Sequence, residues 1–204
     1  MMTKEERELI QAAQEGDQEA FEELVRRHEK QVYGLALRVC GNPQDAAEAA
    51  QEAFLSAWQG LRFFRQESEF STWLYRLTSN AAIDLLRREK RHRGAASLDD
   101  ELSPEAPDRT SLTPQDALEQ KELGELIQKG LNDLSADHRQ VLVLREMYQM
   151  SYQEISDVLD LDVGTVKSRI SRGRQQLRKF LLKRGNFFHR QPSKETEKKE
   201  EGCP

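Results

Sequence analysis

The sequence predicts an all-α protein built from two small helical domains. Apolar residues recur at spacings of three and four along most of the chain, as they do on one face of a helix. No segment of useful length alternates apolar and polar residues as a half-buried strand would. A composition of 37% hydrophobic and 33% charged residues, with a mean hydropathy of -0.81, suits two small domains better than one large core.

A change of composition in the middle of the chain predicts the domain boundaries. Residues 94–117 contain Gly94, three prolines and an acidic run opposed only by Arg109, which is typical of a flexible linker. We therefore expect a helical domain in 1–93, an acidic flexible linker in 94–117, a second helical domain in 118–184 and a disordered tail in 185–204.

Several classes of protein are not expected. No apolar run approaches the ~20 residues that span a bilayer, and the N-terminus lacks the apolar segment of a signal peptide. Cys40 and Cys203 do not have the spacing of a disulfide framework or a metal site. The four histidines form no convincing triad or ligand set. We expect a cytoplasmic protein without membrane contact of its own, catalytic residues, metal or cofactor.

Helix boundary signals divide the first domain. A long amphipathic segment follows Gly16 and Asp17 and stops at Gly41, which suits a C′ position. Asn42 can cap the next helix, with Pro43 at its first position. Three helices are predicted in this domain. The first begins after Asp17, the second runs from about residue 43 to about 58, and the third runs from near residue 71 through 86.

The second domain is predicted to hold helices at about 116–131, 136–148, 152–159 and 165–182. Ser151 and Glu154 form a capping box at the start of the third of these. A turn over 160–163 and Gly164 precede the last helix. Two positions depart from common helix-turn-helix usage: Ser156 stands where Ala is frequent, and Asp160 where Gly is frequent.

The last helix has the pattern of a DNA-recognition helix. Residues 164–184 contain eight bases and no acid, and an apolar stripe from Val166 to Leu181 lies opposite Ser168, Ser171, Arg172 and Gln175. A short amphipathic helix, a tight turn and a basic helix predict a helix-turn-helix that places the second helix in the major groove. The alternative is a solvated basic face on a packing helix.

The residue pattern around the helix that begins near residue 71 predicts a second nucleic-acid surface. Five aromatic residues lie within 63–75, next to the basic run 87–93. Phe70 and Trp73 can stack on unpaired bases, but they share an apolar helical face, which favours the core. Another stripe contains Thr72, Arg76, Asn80, Ile83 and Arg87. The polar loop 65–69 before the helix could form a pocket for an extruded base.

Together these motifs resemble the extracytoplasmic-function sigma factors of bacterial RNA polymerase. The resemblance rests on DQEAFEELVRRHEKQVYGLALR, NPQDAAEAAQEAFLSAW, FRQESEFSTWLYRLTSNAAIDLLRR and LSADHRQVLVLREMYQMSYQEISDVLDLDVGTVKSRISRGRQQLRK. It implies a region 2 domain that binds the melted -10 element, a linker, and a region 4 domain that binds the duplex -35 element. It also implies core polymerase and an anti-sigma factor as partners, and neither catalysis nor a cofactor.

The residue patterns and the resemblance together assign candidate residues to three surfaces. For the -35 element they are Thr165, Lys167, Ser168, Arg169, Ser171, Arg172 and Gln175. For the -10 element they are Arg65, Phe70, Arg76, Asn80, Arg87 and Arg88. The polymerase-binding helix matches at Asp45, Gln51, Glu52 and Phe54, and Glu48 joins them because Asp45, Glu48 and Glu52 share a helical face.

Two other functions compete with this interpretation. A stand-alone helix-turn-helix regulator would explain residues 151–184 but give no role to the aromatic segment and the acidic helix. A sigma-like decoy that binds an anti-sigma protein without DNA would leave the basic recognition helix unused.

Overall fold

The computed structural model describes residues 3–93 and 114–184, and every regular element in these ranges is helical. The all-α class is therefore confirmed for this part of the chain. The elements are α1 (Lys4–Gln14), α2 (Gln18–Cys40), α3 (Pro43–Gly60), a 3-10 turn (Leu61–Phe63), α4 (Phe70–Arg93), α5 (Pro114–Asn132), α6 (Ala136–Glu146), α7 (Tyr152–Leu159) and α8 (Val163–Arg184).

Two expectations concern residues largely outside these ranges. The predicted tail, 185–204, and most of the predicted linker, 94–117, are outside the described residues. The last four positions of that linker already belong to α5, which begins at Pro114. A proline is well tolerated at a helix start because its missing N–H has no partner there. No helix in the described ranges is long and apolar enough to cross a membrane.

Side-chain caps set the starts of the first three helices. Thr3, Asp17 and Asn42 each accept a hydrogen bond from the backbone N–H three residues later, at 2.9–3.1 Å. Gly41 ends α2 in the left-handed conformation at φ 89°, and its N–H bonds to the Leu37 carbonyl. The predicted sequence of C′ glycine, N-cap asparagine and N1 proline is thus confirmed.

The first bundle packs α2, α3 and α4 around one core. Leu24, Leu35 and Leu74 are buried there, and α3 lets its neighbours approach closely because its inward face is almost entirely alanine. These alanines are Ala46, Ala49, Ala50, Ala53 and Ala57. Ile83, which we placed on the polar stripe of α4, is also buried. The prediction for Ile83 was wrong because the helix buries more than one face.

The second bundle contains the helix-turn-helix. Val141–Leu144 of α6 pack with Ile155 of α7 and Ile170 of α8 in its core. Gly173 lets α8 lie close to α6, since a Cβ at this position would meet Leu142 Cδ1 at 2.9 Å. The predicted bounds of α7 and its capping box between Ser151 and Glu154 are confirmed.

The turn between α7 and α8 is shorter than predicted. Asp160 adopts the left-handed conformation at φ 52°, and the Ser156 hydroxyl donates to the Leu161 carbonyl. Asp162 then caps α8 by accepting from the Thr165 N–H at 2.8 Å. The helix consequently begins at Val163, two residues before the predicted start. Gly164 lies inside the helix and does not precede it.

A buried arginine joins the two bundles. Arg139 of α6 is 7% exposed, and its guanidinium donates to the Val39 carbonyl at 2.7 Å and the Asn132 carbonyl at 3.0 Å. It also approaches the carbonyls of Cys40 and Leu134 at 3.4 and 3.3 Å. One side chain therefore bonds to the ends of α2, in the first bundle, and α5, in the second.

Two tyrosines extend this interface. The rings of Tyr75 on α4 and Tyr148 after α6 meet edge to face at 4.7 Å. Tyr148 donates its hydroxyl to the Gln31 carbonyl at 2.8 Å, and Tyr75 donates to Gln31 Oε1 at 3.1 Å. Burial raises the pKa of both phenols, so both remain donors at neutral pH.

We expect Arg139→Ala to separate the bundles and to lower the free energy of unfolding by about 2–4 kcal/mol, because several buried carbonyls lose a charged donor. The measurements are thermal denaturation and the radius of gyration of the free chain from small-angle X-ray scattering. Arg145→Ala is the matched control, since Arg145 donates to the Met150 carbonyl within the second bundle. That variant should lose stability without an increase in radius. An unchanged radius in Arg139→Ala would contradict the assignment.

Candidate nucleic-acid and polymerase interfaces

The outer face of α8 is basic and open to solvent. Val166 and Ile170 anchor the helix in the core, and the opposite side carries most of the predicted -35 residues. Five of these are exposed: Lys167, Ser168, Ser171, Arg172 and Gln175. They lie within the first four turns of the helix, and the N-terminal part of this helix enters the major groove in a helix-turn-helix.

Two predicted -35 residues are engaged within the protein. Thr165 donates both its N–H and its hydroxyl to the Asp162 carboxylate, so its side chain is part of the helix cap. Arg169 is mostly covered and lies 3.4 Å from Asp137. Both remain candidates for DNA contact, but each would have to exchange a partner within the chain first.

Three predicted -10 residues line one groove. Asn80, Arg87 and Arg88 border an open cavity of about 1060 Å³ between α3 and α4, together with Glu52 of α3 and Arg91 of α4. Arg88 pairs with Glu48 at 3.7 Å, and both side chains are more than half exposed. Arg65 and Arg76 are exposed but lie outside this groove.

Phe70 is not accessible to DNA in this structure. Its side chain is 1% exposed and packs against Phe64, Trp73 and His28, with ring centroids 5.2–5.7 Å apart. The core interpretation of this residue therefore fits the structure, and its assignment to the -10 surface requires correction. The exposed aromatic beside the loop is Phe63, 69% exposed and covered on one side by Arg62 at 4.5 Å. Phe63 belongs to the 3-10 turn before the loop and lies outside the apolar stripe that begins at Phe70, and this place in the sequence could have identified it.

The acidic face of α3 differs from the prediction. Asp45 is 8% exposed and bonds to the Asn42 side chain at 2.7 Å, so it belongs to the helix cap and not to an exposed acidic face. Gln51 and Glu52 are exposed and Phe54 is half-buried. Sequence reasoning missed Leu55 and Trp58, large apolar side chains that are 49% and 39% exposed on the same helix. Exposed apolar residues beside acids are typical of a protein-protein interface.

Comparisons with known proteins give a family match for each of the two bundles. Residues 24–92 match the family Sigma-70 region 2, and residues 124–177 match Sigma-70, region 4. The ECF RNA polymerase sigma factor SigW of Bacillus subtilis is 37% identical over 183 residues, which cover 84% of this chain and 94% of that protein. The chain belongs to the extracytoplasmic-function sigma factors.

Solved structures show the same architecture. The structure of CnrH in complex with the cytosolic domain of CnrY matches with a TM-score of 0.61 and 29% identity, covering 88% of this chain and 99% of that one. The sigma factor RpoE of Bartonella quintana, in complex with the anti-sigma factor NepR, shares the fold with a TM-score of 0.63 and 22% identity. That match covers 79% of this chain and 96% of RpoE.

The sigma-factor assignment gives a role to the half of the chain that a stand-alone helix-turn-helix regulator would leave without one, because the region 2 match includes both α3 and α4. Residues 3–93 and 114–184 contain no group of three or more acidic, histidine or cysteine side chains that could hold a metal ion.

The capping box makes the helix-turn-helix sensitive to acid. The Ser151 N–H, and to a lesser extent its hydroxyl, lower the pKa of Glu154 below the ordinary 4.5. Because the folded-state pKa is the lower one, this stabilisation is complete above pH about 4.5 and is lost as the pH falls further.

We expect the Glu154→Gln variant, whose side chain cannot titrate, to lose less stability than the parent protein when the pH is lowered from about 5 to about 3.

Thermal denaturation followed by circular dichroism over this pH range measures the difference. Ser151→Ala removes the hydroxyl partner and should reduce the same pH-dependent part. Parallel pH curves for the parent protein and Glu154→Gln would show that this carboxylate does not contribute.

Proposed function

We propose that this sigma factor directs core RNA polymerase to promoters through three separate surfaces: α8 for the -35 element, α4 with its preceding loop for the -10 element, and α3 for polymerase. The observation that carries the proposal is the exposed basic face of α8 in a chain that also has a complete region 2 bundle. Residues 1–93 would act as the -10 and polymerase module and 118–184 as the -35 module, joined by the acidic segment between them.

The -35 element would be recognised as duplex DNA. Arg172 and Lys167 are exposed on the first turns of α8, where arginine and lysine can donate to guanine O6 and N7. Lys179, Lys183 and Arg184 lie further along α8 around a smaller basic cavity. Their distance from the helix start favours contact with phosphates, which hold the protein on DNA without selecting sequence.

The -10 element would be recognised after strand opening. Asn80 faces the groove between α3 and α4, and its amide can bond to a base edge while Arg87 and Arg88 neutralise phosphates. The exposed loop residues from Arg65 to Ser68 lie at the other end of α4. An unpaired base held in this loop could stack against Phe63 and not against the buried Phe70.

The polymerase surface would combine charge and apolar contact. Glu48, Gln51 and Glu52 provide the polar part, and Leu55 and Trp58 provide exposed apolar area on the same helix. Acidic residues favour a basic partner surface and accelerate encounter with it, while an exposed tryptophan is the kind of residue that dominates interface energies. Asp45 would support this surface indirectly, because its bond with the Asn42 side chain orders the start of α3.

We also propose an anti-sigma protein as a regulatory partner and the cytoplasm as the place of action, where polymerase and DNA are found. The similar RpoE was solved with an anti-sigma factor. We expect no catalytic activity of the chain itself, since the reaction belongs to the polymerase that it directs.

Run-off transcription tests the proposal. Bacterial core polymerase, alone or with this chain, is supplied with template libraries that carry the gene's own upstream region and randomised -35 and -10 positions. Transcripts that require both proteins and show preferred bases at both elements are expected. Tight, sequence-specific binding of the chain alone in a gel shift, without polymerase-dependent transcripts, would favour the stand-alone regulator.

Asn80→Ala should lower open-complex formation and relax selectivity at one -10 position, at a cost of about 1–3 kcal/mol if the amide contacts a base edge. Asn80 is exposed, so the melting temperature should change little. Permanganate footprinting on templates with single -10 substitutions measures the effect. If the variant keeps its promoter preference and loses thermal stability, Asn80 serves the fold and not the DNA.

Arg172→Ala and Lys179→Ala should separate base recognition from phosphate contact. The first should cost about 1–3 kcal/mol on the native -35 sequence and little on a scrambled one. The second should weaken both alike and reduce the salt slope by roughly one unit. The assay is salt-titrated binding of holoenzyme to both templates. Equal weakening of both templates by Arg172→Ala would make this arginine a phosphate contact.

A further inference from the structure

The loop before α4 has a conformation that its own sequence does not favour. Its residues from Arg65 to Ser68 are exposed, whereas Phe64 and Phe70 at its two ends are buried. Gln66 adopts a φ of 56°, in the left-handed region where residues other than glycine are uncommon. Such a conformation persists only when the surrounding structure holds it. The contacts at the two ends of the loop are therefore decisive.

Gln14, at the end of α1, fixes the first end. Its amide Nε2 donates to the Leu61 carbonyl at 3.0 Å and to the Phe64 carbonyl at 2.8 Å. These carbonyls belong to the 3-10 turn that leads into the loop, and the Phe64 N–H closes that turn on Leu61. Both N–H hydrogens of this half-buried amide therefore bond to backbone carbonyls about 50 residues further along the chain.

α1 also contributes to the second end. Phe70 packs edge to face on His28 at 5.2 Å, and His28 Nε2 lies 2.9 Å from Glu6 Oε1 of α1. The rings of Phe64 and Phe70 meet at 5.6 Å beneath the loop. The same helix therefore holds the first end of the loop directly, through Gln14, and supports the second end through His28 of α2.

We propose that α1 positions this loop for base capture, with Gln14 as the positioning residue. The inference rests on the proposed role of the loop in -10 recognition. Neither Gln14 nor Glu6 falls within the region 2 match, which begins at residue 24. Gln14 acts on the loop and does not contact DNA itself. It holds the Phe64 carbonyl so that the loop is ordered before the base arrives, which removes an ordering cost from binding.

The test is base preference at each randomised -10 position, measured with holoenzyme on the template libraries described above. Gln14→Glu and Gln14→Met cannot donate to the two carbonyls, and each should reduce the preference at the loop-bound position about tenfold. Preference at the -35 positions should stay the same. Gln14→Lys can still donate to a carbonyl and should keep most of the preference. Gln11→Glu is the matched control on the same helix, because Gln11 is exposed.

The outcomes distinguish this inference from the proposed function. If the parent protein shows no base preference at any -10 position, the proposed -10 function fails and this inference fails with it. If the parent protein is selective and Gln14→Met remains equally selective, only the positioning role of Gln14 is overturned. A loss in Gln14→Lys as large as in Gln14→Met, with unchanged melting temperatures, would also overturn it, because donation would then be irrelevant.

Discussion

The relative placement of the two bundles, and of the DNA surfaces proposed on them, depends most strongly on one buried arginine. Arg139 donates to carbonyls at the ends of α2 and α5, where the last turn of a helix has unpaired oxygens and the negative end of the helix dipole. Burial raises the pKa of the neighbouring Cys40 thiol to about 12, so Cys40 is uncharged at neutral pH. The guanidinium charge is therefore balanced by backbone dipoles, which fixes the two helix ends relative to each other.

The helix that carries this arginine also supports the recognition helix. One part of α6 supplies Arg139 to the interface, and Val141–Leu144 of the same helix form the core under α7 and α8. Gly173 brings α8 into direct contact with this helix. Any increase in the separation between the α8 surface and the α4 surface therefore requires the Arg139 bonds and the contact between Tyr75 and Tyr148 to break.

Local chemistry was predictable from sequence, whereas distant contacts were not. The capping box of α7, the glycine that ends α2 and the start of α3 follow from residues within four positions of one another, and the structure agrees. Arg139 contacts carbonyls about 100 residues away, which no periodicity encodes. We predicted no separate helix for residues 4–14, although Thr3 is a cap signal. That omission concealed the contact of Gln14 with the loop.

The predicted site residues show the same limit, because local spacing does not reveal which side chains a neighbouring helix covers. Helical spacing placed Asp45 with Glu48 and Glu52, but it does not show which members of a face a neighbouring helix covers. Asp45 is close to the N-terminus of α3, where an acid bonds to the cap. Phe70 and Asn80 share α4, and the apolar spacing favoured the core for Phe70. Apolar spacing thus indicated the burial of Phe70, whereas the burial of the charged Asp45 became visible only in the tertiary structure.

Burial also divides the basic residues into fixed and exchangeable charges. Arg88 with Glu48 and Arg174 with Glu146 are exposed pairs, and such pairs contribute only about 0–1 kcal/mol because water screens them. Their arginines can exchange a carboxylate for a phosphate at little cost. Arg139 cannot, since removing its carbonyl partners would leave a buried charge unpaired. The surfaces proposed for DNA on α4 and α8 therefore carry exchangeable charges, while the charge that orders the two bundles is unavailable to DNA.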